Sequence, residues 1–216
     1  IAAMAYGTET IPKVDKLQGP GSMYVTAAKR LLIGQVDIGM PAGPSESIIL
    51  ADKHADPYKV ALDLIIEAEH GSDSSAILIT TSEPVGEAVA EIIPELIDEI
   101  PEPRKKYLTD VFQNYGGIFL ASDLQEGASI VNQFAPEHLQ IRCAEPWTVT
   151  GMIHNAAEIL IGDHIPFSIA NYIIVPNAIL PTGGNAKTFE LPREDYTCFR
   201  LRTDHRTSSR DNFAIF

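Results

Sequence analysis

The chain has 216 residues, of which 45% are hydrophobic and 21% charged, a balance that is ordinary for a soluble globular protein. Its formal net charge of −13 disfavours sequence-independent binding to nucleic acid or to an anionic membrane, because both need clustered Lys and Arg. No apolar run approaches the ~20 residues of a membrane span, and Cys143 and Cys198 have no CxxC spacing. We therefore expect a cytoplasmic protein whose partners are small molecules or other proteins.

Short β-branched runs alternate with stretches of helical length along most of the chain. The runs are "ESIIL" from residue 46, "AILIT" from 76, "GIFLA" from 117, "EHLQI" from 137 and "EILIGD" from 158. This alternation predicts an α/β fold, in which a mostly parallel sheet has helices on both faces, as in an incomplete Rossmann-like domain. Ligands of such sheets usually gather at the carboxyl ends of the strands.

Two helices have boundaries that the sequence marks. Asp56 and Pro57 are a good N-cap and first residue for a helix that runs to His70, and Gly71 suits its end. A second helix begins near Glu83 and contains Pro94, which should kink or split it. From about Phe189 onward both charge signs mix without a period of 2 or 3.6, so we expect an irregular C-terminal tail.

The stretch "FAPEHLQI" places Glu137 and His138 where a loop enters a strand. Pro136 should push Ala135 towards extended geometry. A histidine is the natural general base near neutral pH, and a neighbouring carboxylate can orient it or activate water. Adjacent strand residues point to opposite faces, so both reach one substrate only if the strand is irregular or they serve different steps. The alternative interpretation is an ordinary polar entry to a strand.

Other polar clusters leave two interpretations open. Glu67 and His70 are three residues apart at a predicted helix end, a spacing that suits one divalent ion such as zinc. An imidazolium at a helix C-terminus is also favourable without a metal. The loop "GPGS" at residues 19–22 precedes a helix and suits either a phosphate or a tight turn. Asp163, His164 and Asn171 are equally a set of ligands or ordinary loop residues.

Six segments along the chain carry a family resemblance when they are taken in this order: "AYGTETIPKVDKLQGPGSMYVTAAKR", "PAGPSE", "EAEHGSDS", "FAPEHLQI", "GD" and "LPTGG". Together they resemble the histidinol dehydrogenase family, from residue 1 to about residue 188. The resemblance covers roughly the second half of a family member, which predicts a partial chain. It implies two NAD-dependent oxidations of an amino alcohol, L-histidinol in the histidine pathway, to the amino acid, on a zinc-containing homodimer.

The resemblance also implies a domain division and the roles of single residues. Residues 1–40 would end the cofactor-side domain, 41–188 would form the main α/β catalytic domain, and 189–216 would be a tail that does not match the family's C-terminal arm. Glu137 and His138 match the family's acid–base pair, with His138 taking the alcohol proton and Glu137 activating water for the second oxidation.

The metal and substrate positions combine matches and departures. His70 matches a zinc ligand, Glu67 stands at a glutamine ligand and Asn171 at an aspartate ligand, so these three are the expected zinc site. They would also contact the substrate, together with His138 and with Ser45, which matches a substrate-contacting serine.

Two further departures concern the cofactor and the choice of substrate. Ser22 replaces an asparagine that contacts the dinucleotide, which makes it the candidate NAD contact, and Ala178 replaces a substrate-site histidine. The segments "EAEHG" and "NYIIVPNAILPTGG" resemble more closely the paralogues that oxidise other polyols, such as sulfopropanediol dehydrogenases. The alternatives are therefore a dehydrogenase for another polyol, or a non-catalytic fragment of such an enzyme.

Overall fold

The centre of the molecule is a sheet of five parallel strands. The computed structural model describes residues 1–19, 21–39 and 43–168, together with the backbone of 199–200 and 214–215. The strands are β1 (Glu46–Ala51), β2 (Ser75–Thr80), β3 (Gly117–Leu120), β4 (His138–Arg142) and β5 (Glu158–Ile161). Their order across the sheet is β3-β2-β1-β4-β5, and every neighbouring pair is parallel. The prediction of an α/β fold with a mostly parallel sheet is confirmed.

Helices cover both faces of this sheet. On one face lie α3 (Pro57–Ala68), α4 (Glu83–Asp98) and α5 (Arg104–Asn114), and on the other α6 (Leu124–Phe134) and α7 (Pro146–Thr150). Two earlier helices, α1 (Ala2–Tyr6) and α2 (Met23–Leu31), precede the sheet. Within the described part of the chain, none of the helices has the length and apolar character that crossing a bilayer requires.

The central strands are apolar on both faces because each face packs against helices. In β1, Ile49 and Ala51 join the core cluster beneath α3, α4 and α5, whereas Ile48 and Leu50 join the cluster beneath α6 and α7. In β4 the pattern changes: Leu139 and Ile141 face the α6 side, and the alternate residues that face α3 are polar. This polar face of β4 is where the candidate site lies.

Two predicted helix boundaries need correction in detail. The Asp56 side chain caps α3 by accepting from the backbone N–H of Tyr58 at 3.0 Å, as predicted, but the helix ends at Ala68 and His70 lies in the turn beyond. Pro94 does not split the helix, because α4 is continuous, and the alternative of a kink stays a prediction. Pro94 lies on its exposed side, where water can satisfy the carbonyl that the proline leaves unpaired.

Ala135 is not extended, contrary to the prediction. Its φ of 58° and ψ of 62° place it in the left-handed region, and its N–H donates to the carbonyl of Val131 at 2.8 Å. The helix end therefore decides its conformation, because a left-handed residue after a helix satisfies one of the last carbonyls. The chain turns sharply here, so that Glu137 and His138 follow directly from the end of α6.

The domain boundaries at residues 40 and 188 stay predictions. Residues 1–39 have a small core of their own, formed by Ala5, Leu32, Val36 and Ile38. In the predicted tail, β6 (Phe199–Arg200) and β7 (Ala214–Ile215) pair in an antiparallel ribbon, and the other residues from 189 onward lie outside the described part.

Candidate active site

A row of polar side chains crosses the sheet at its amino end. The strand register aligns Ser47 of β1 with His138 of β4, and His138 with Glu158 of β5. Residues paired in register point to the same face, so all three side chains face α3. These residues therefore lie at the amino ends of the strands, as expected where a loop enters a strand, and not at the carboxyl ends where ligands of such sheets usually gather. In this chain the polar residues of the row lie at the first positions of the strands, and most of the later positions are occupied by core residues.

Helix α3 supplies the other wall of the site because it runs antiparallel to β4. Asp63 and Glu67, one turn apart, both face the sheet and are buried. Asp63 meets Arg142 at the end of β4, whereas Glu67 lies close enough to His138, at the start of β4, to raise its pKa. Sequence neighbours of one helix thus contribute to opposite ends of the same strand.

Glu137 lies in the bend just before β4, and its side chain is buried against the start of β1. The backbone N–H of Glu46 donates to its Oε2 over 3.4 Å, and its Oε1 lies 3.6 Å from Nε2 of His138. Burial raises the pKa of Glu137 to about 8; the charge of His138 opposes this shift and that of Glu67 adds to it. Because Glu137 precedes the regular strand, both side chains of the pair reach one place.

His138 is 5% exposed and carries a carboxylate on each side. Its Nδ1 lies 2.6 Å from Oε2 of Glu158, and its ring centroid lies 5.9 Å from that of Phe167. Burial by itself lowers the pKa of His138, but the hydrogen bond with Glu158 and the charges of Glu137 and Glu67 raise it to about 9. The site therefore favours a positive charge on this ring.

Glu67 and His70 lie together, as their spacing predicted. Oε2 of Glu67 is 3.7 Å from Nδ1 of His70, and that Nδ1 is 3.1 Å from the carbonyl oxygen of Glu67. Glu67 is only 1% exposed, and its Oε1 has no hydrogen-bond partner in the described part of the structure. The side chain of His70 is 46% exposed. A buried carboxylate oxygen without a partner beside a half-open imidazole is a place where a cation would be stabilised.

The other predicted site residues lie at different distances from the Glu137–His138 pair. Ser45 lies directly before β1, next to the Glu46 amide that binds Glu137. Ser22 is the exposed N-cap of α2, and no hydrogen bond or ion pair among the described residues links it to Glu137 or His138. Asn171 and Ala178 lie outside the described residues.

Asp163 and His164 do not join the site. They follow β5 at the opposite edge of the sheet, where Oδ1 of Asp163 lies 3.9 Å from Nη1 of Arg142. They therefore lie away from Glu137 and His138, and their role as ligands together with Asn171 stays a prediction.

A buried polar network holds the segment after β5 against α3. Gln140 donates from Nε2 to the carbonyl of Ile165, Arg142 donates to Asp63, and the Asp63 carboxylate also accepts from the backbone of Phe167. Phe167 is fully buried beside His138. The network at the carboxyl half of β4 thereby positions one wall around the catalytic candidate at its amino end.

Sequence reasoning missed Glu158. It stands at the start of an apolar strand, where a single charged residue looks like an ordinary strand boundary. Only the pairing of β4 with β5 places it against His138, 20 positions earlier in the chain.

The family profile described as histidinol dehydrogenase matches residues 1–192. The chain belongs to the histidinol dehydrogenase family. The histidinol dehydrogenase of Synechocystis sp. is 53% identical over 189 residues, which are 88% of this chain and 44% of that protein. A histidinol dehydrogenase homolog of Colwellia psychrerythraea is 49% identical over 189 residues, which are 87% of this chain and 42% of that protein.

A solved histidinol dehydrogenase has the same fold over the matched part. The crystal structure of the enzyme from Elizabethkingia anophelis matches with a TM-score of 0.78 at 38% identity, over 86% of this chain and 42% of that one. The chain thus spans less than half the length of these relatives. The family assignment confirms the resemblance read from "EAEHGSDS" and "FAPEHLQI".

For this member of the histidinol dehydrogenase family, the described residues fit zinc in part. Nδ1 of His70 donates to the Glu67 carbonyl, which fixes the tautomer whose Nε2 lone pair is free for a metal. Glu67 adds the oxygen that has no partner. Within the described ranges, no three His, Cys, Asp or Glu side chains are grouped to hold a metal ion, so a further ligand has to come from elsewhere.

The start of α2 has two features that suit one phosphate group of a dinucleotide. The Ser22 side chain makes no capping hydrogen bond with the helix, so within the described part of the chain its hydroxyl could meet a ligand. The first amides of a helix have no intrahelical partner and attract phosphate.

Proposed function

We propose that this chain carries the catalytic α/β unit of a zinc-containing, NAD-dependent dehydrogenase that oxidises an amino alcohol such as L-histidinol to the amino acid. The observation that carries the proposal is the buried pair Glu137 and His138, with Oε1 and Nε2 facing each other at 3.6 Å in a chain of this family. A proton donor and acceptor held so close can serve two consecutive steps at one carbon atom.

The proposed roles follow the order of the two oxidations. In the first, the alcohol loses a hydride from carbon and a proton from oxygen, and His138 takes the proton in its neutral form, which is present at a pH near or above its raised pKa of about 9. In the second, Glu137 takes a proton from the water that adds to the aldehyde, and the hydrate loses its hydride to give the acid. When bound, NAD would accept the hydride of each step, and zinc, which Glu67, His70 and Asn171 would hold, would polarise the substrate oxygen. Ser45 is the proposed substrate contact and Ser22 the cofactor contact.

The charge around the pair supports an amino alcohol over a sulfonated polyol. The carboxylates of Glu67, Glu137 and Glu158 lie close around one imidazole, and their charges raise its pKa. A negative potential of this kind attracts an ammonium or imidazolium group and opposes a sulfonate. Sulfopropanediol is therefore the second candidate substrate. It remains a candidate because some relatives, such as the one from Colwellia psychrerythraea, are named histidinol dehydrogenase homologs, a name that states no substrate of their own.

The experiment is a comparison of the two substrates with the zinc-loaded chain. L-Histidinol with NAD should give two NADH per histidine formed, and 2,3-dihydroxypropane-1-sulfonate should give less. In His138→Asn, which keeps a donor towards Glu158, turnover should fall about 10²–10⁴-fold. In His154→Asn, a change at an exposed loop histidine, turnover should stay unchanged.

Opposite results would assign other functions. A preference for the sulfonate would make the chain a polyol dehydrogenase. A folded, zinc-loaded chain that forms no NADH from either substrate would support the non-catalytic fragment.

Assembly and location belong to the same proposal. The resemblance supports a homodimer, which light scattering of the purified chain would test against the mass of a monomer. A cytoplasmic location is supported by the cysteine content, since the two cysteines lie far apart in the sequence and do not indicate the disulfide framework of a secreted protein. Fractionation of the source cells would test it.

A further inference from the structure

Glu158 is fixed in place by the backbone on which it stands. It is the first residue of β5, its backbone N–H donates to the carbonyl of Glu137 at 2.9 Å, and the preceding N–H of Ala157 donates to the carbonyl of Pro136 at 3.1 Å. The register pairs it directly with His138. The backbone hydrogen bonds between β5 and the segment of Glu137 and His138 therefore also fix the position from which the Glu158 carboxylate extends.

The contact between Glu158 and His138 has the geometry of a charge-assisted hydrogen bond. Oε2 lies 2.6 Å from Nδ1, and Glu158 is 0% exposed. Burying a carboxylate to this extent costs desolvation free energy unless a cation or a hydrogen-bond donor pairs with it. Nδ1 is the atom that can donate here, so a proton on Nδ1 stabilises the pair.

The other ring nitrogen faces the opposite way. Nε2 lies 3.6 Å from Oε1 of Glu137, which is too long for a hydrogen bond, so among the described residues this nitrogen has no hydrogen-bond partner and can meet a substrate atom. The two nitrogens of an imidazole are coupled, because a hydrogen bond at one decides which atom of the neutral ring accepts a proton. A carboxylate at Nδ1 thus directs the chemistry of the ring to Nε2.

We propose that Glu158 is a positioning residue, which keeps the Nδ1 proton on His138 so that Nε2 is the atom that exchanges a proton with the substrate. It acts through His138 and does not touch the substrate. The catalytic consequence rests on the proposed function, whereas the protonation of Nδ1 does not. A merely structural Glu158 would stabilise the sheet without selecting between the ring nitrogens.

The first test observes the unsubstituted chain and needs no activity. Nitrogen-15 NMR of the metal-free chain, with labelled histidine, reports which ring nitrogen carries the proton. The His138 signals are assigned by their loss in His138→Asn. At a pH high enough for the ring to be neutral, the remaining proton should be on Nδ1. A neutral ring protonated on Nε2 would overturn the proposal.

The second test uses Glu158→Gln and Glu158→Asp, with Glu126→Gln at an exposed helix start as the control. Glutamine can donate to Nδ1, so the neutral ring should shift towards the Nε2 tautomer. With the zinc-loaded chain, kcat for alcohol oxidation should fall about 10–100-fold and KM should change little. Aspartate keeps the charge with a shorter reach and should restore part of kcat.

The outcomes separate the two hypotheses. An unchanged tautomer or an unchanged kcat in folded Glu158→Gln would contradict the positioning role. A wild-type chain that shows the Nδ1 tautomer but no turnover would contradict the proposed function and leave the assignment of the Nδ1 proton in place.

Discussion

Arg142, the last residue of β4, donates from Nη2 to Oδ2 of Asp63 in the middle of α3, and both side chains are buried. The pair joins the helix that carries Glu67, one of the predicted zinc ligands, to the strand that carries the predicted base. Burial raises the pKa of Asp63, although the charge of Arg142 opposes the shift. Burying the pair therefore costs desolvation free energy, and the contact fixes the position of α3 on β4.

Asp63→Asn should destabilise the fold by about 3–5 kcal/mol, because it leaves the buried guanidinium without its counter-charge. Urea unfolding followed by circular dichroism would measure the loss. Asp98→Asn, at an exposed ion pair with Lys105, is the matched control and should change stability by less than about 1 kcal/mol. Equal effects of the two substitutions would show that the buried pair contributes no more than a surface pair.

The stability of the metal-free chain should fall as pH rises from about 5 to about 9. The pKa of Glu137 is raised from 4.5 to about 8 and that of His138 from 6.5 to about 9, so the folded state binds these protons more tightly than the unfolded state. Their stabilisation is complete below the unfolded pKa values and is lost as pH rises through the folded ones. Urea midpoints at pH 6 and pH 9 would measure it.

The control for this pH dependence is Glu137→Gln, which removes one of the two titrating groups and should flatten the slope. A midpoint that rises between pH 6 and pH 9 in the wild-type chain would contradict the two raised pKa values.

His70→Asn should lower the zinc content of the chain, because it removes the nitrogen that the Glu67 carbonyl orients towards a metal. Elemental analysis after dialysis against a defined zinc buffer would give zinc per chain. His54→Asn, at an exposed loop, should leave the content unchanged. Identical zinc in wild type and His70→Asn would make His70 an ordinary helix-end residue.

Gly116→Ala should destabilise the fold by about 1–3 kcal/mol through overpacking. A Cβ atom at this position would lie 2.9 Å from Cδ1 of Phe112 and 3.0 Å from the backbone oxygen of Ala76, which cannot move without disturbing β2. Gly117→Ala is the neighbouring control, since its Cβ would meet only Phe119 at 3.7 Å. Thermal unfolding would compare them, and equal melting temperatures would show that the chain accommodates the methyl group.

Local sequence signals predicted those parts of the site that depend on near neighbours. Glu67 and His70 lie together because three residues along a helix end return to the same side. Glu137 and His138 reach one place because the chain is irregular before β4, one of the two conditions that their adjacency allowed. Ala135 shows the limit of such rules, since the end of α6 outweighed the influence of Pro136.

The sequence by itself determined the α/β fold, the five strands and the family, because apolar runs, helix caps and ordered motifs are local properties of the chain. The tertiary structure alone decided that β4 lies between β1 and β5 and that Glu158 therefore lies against His138. Strand order and register bring together residues that are distant in the chain, and they depend on how helices and strands pack, which no short stretch of sequence encodes.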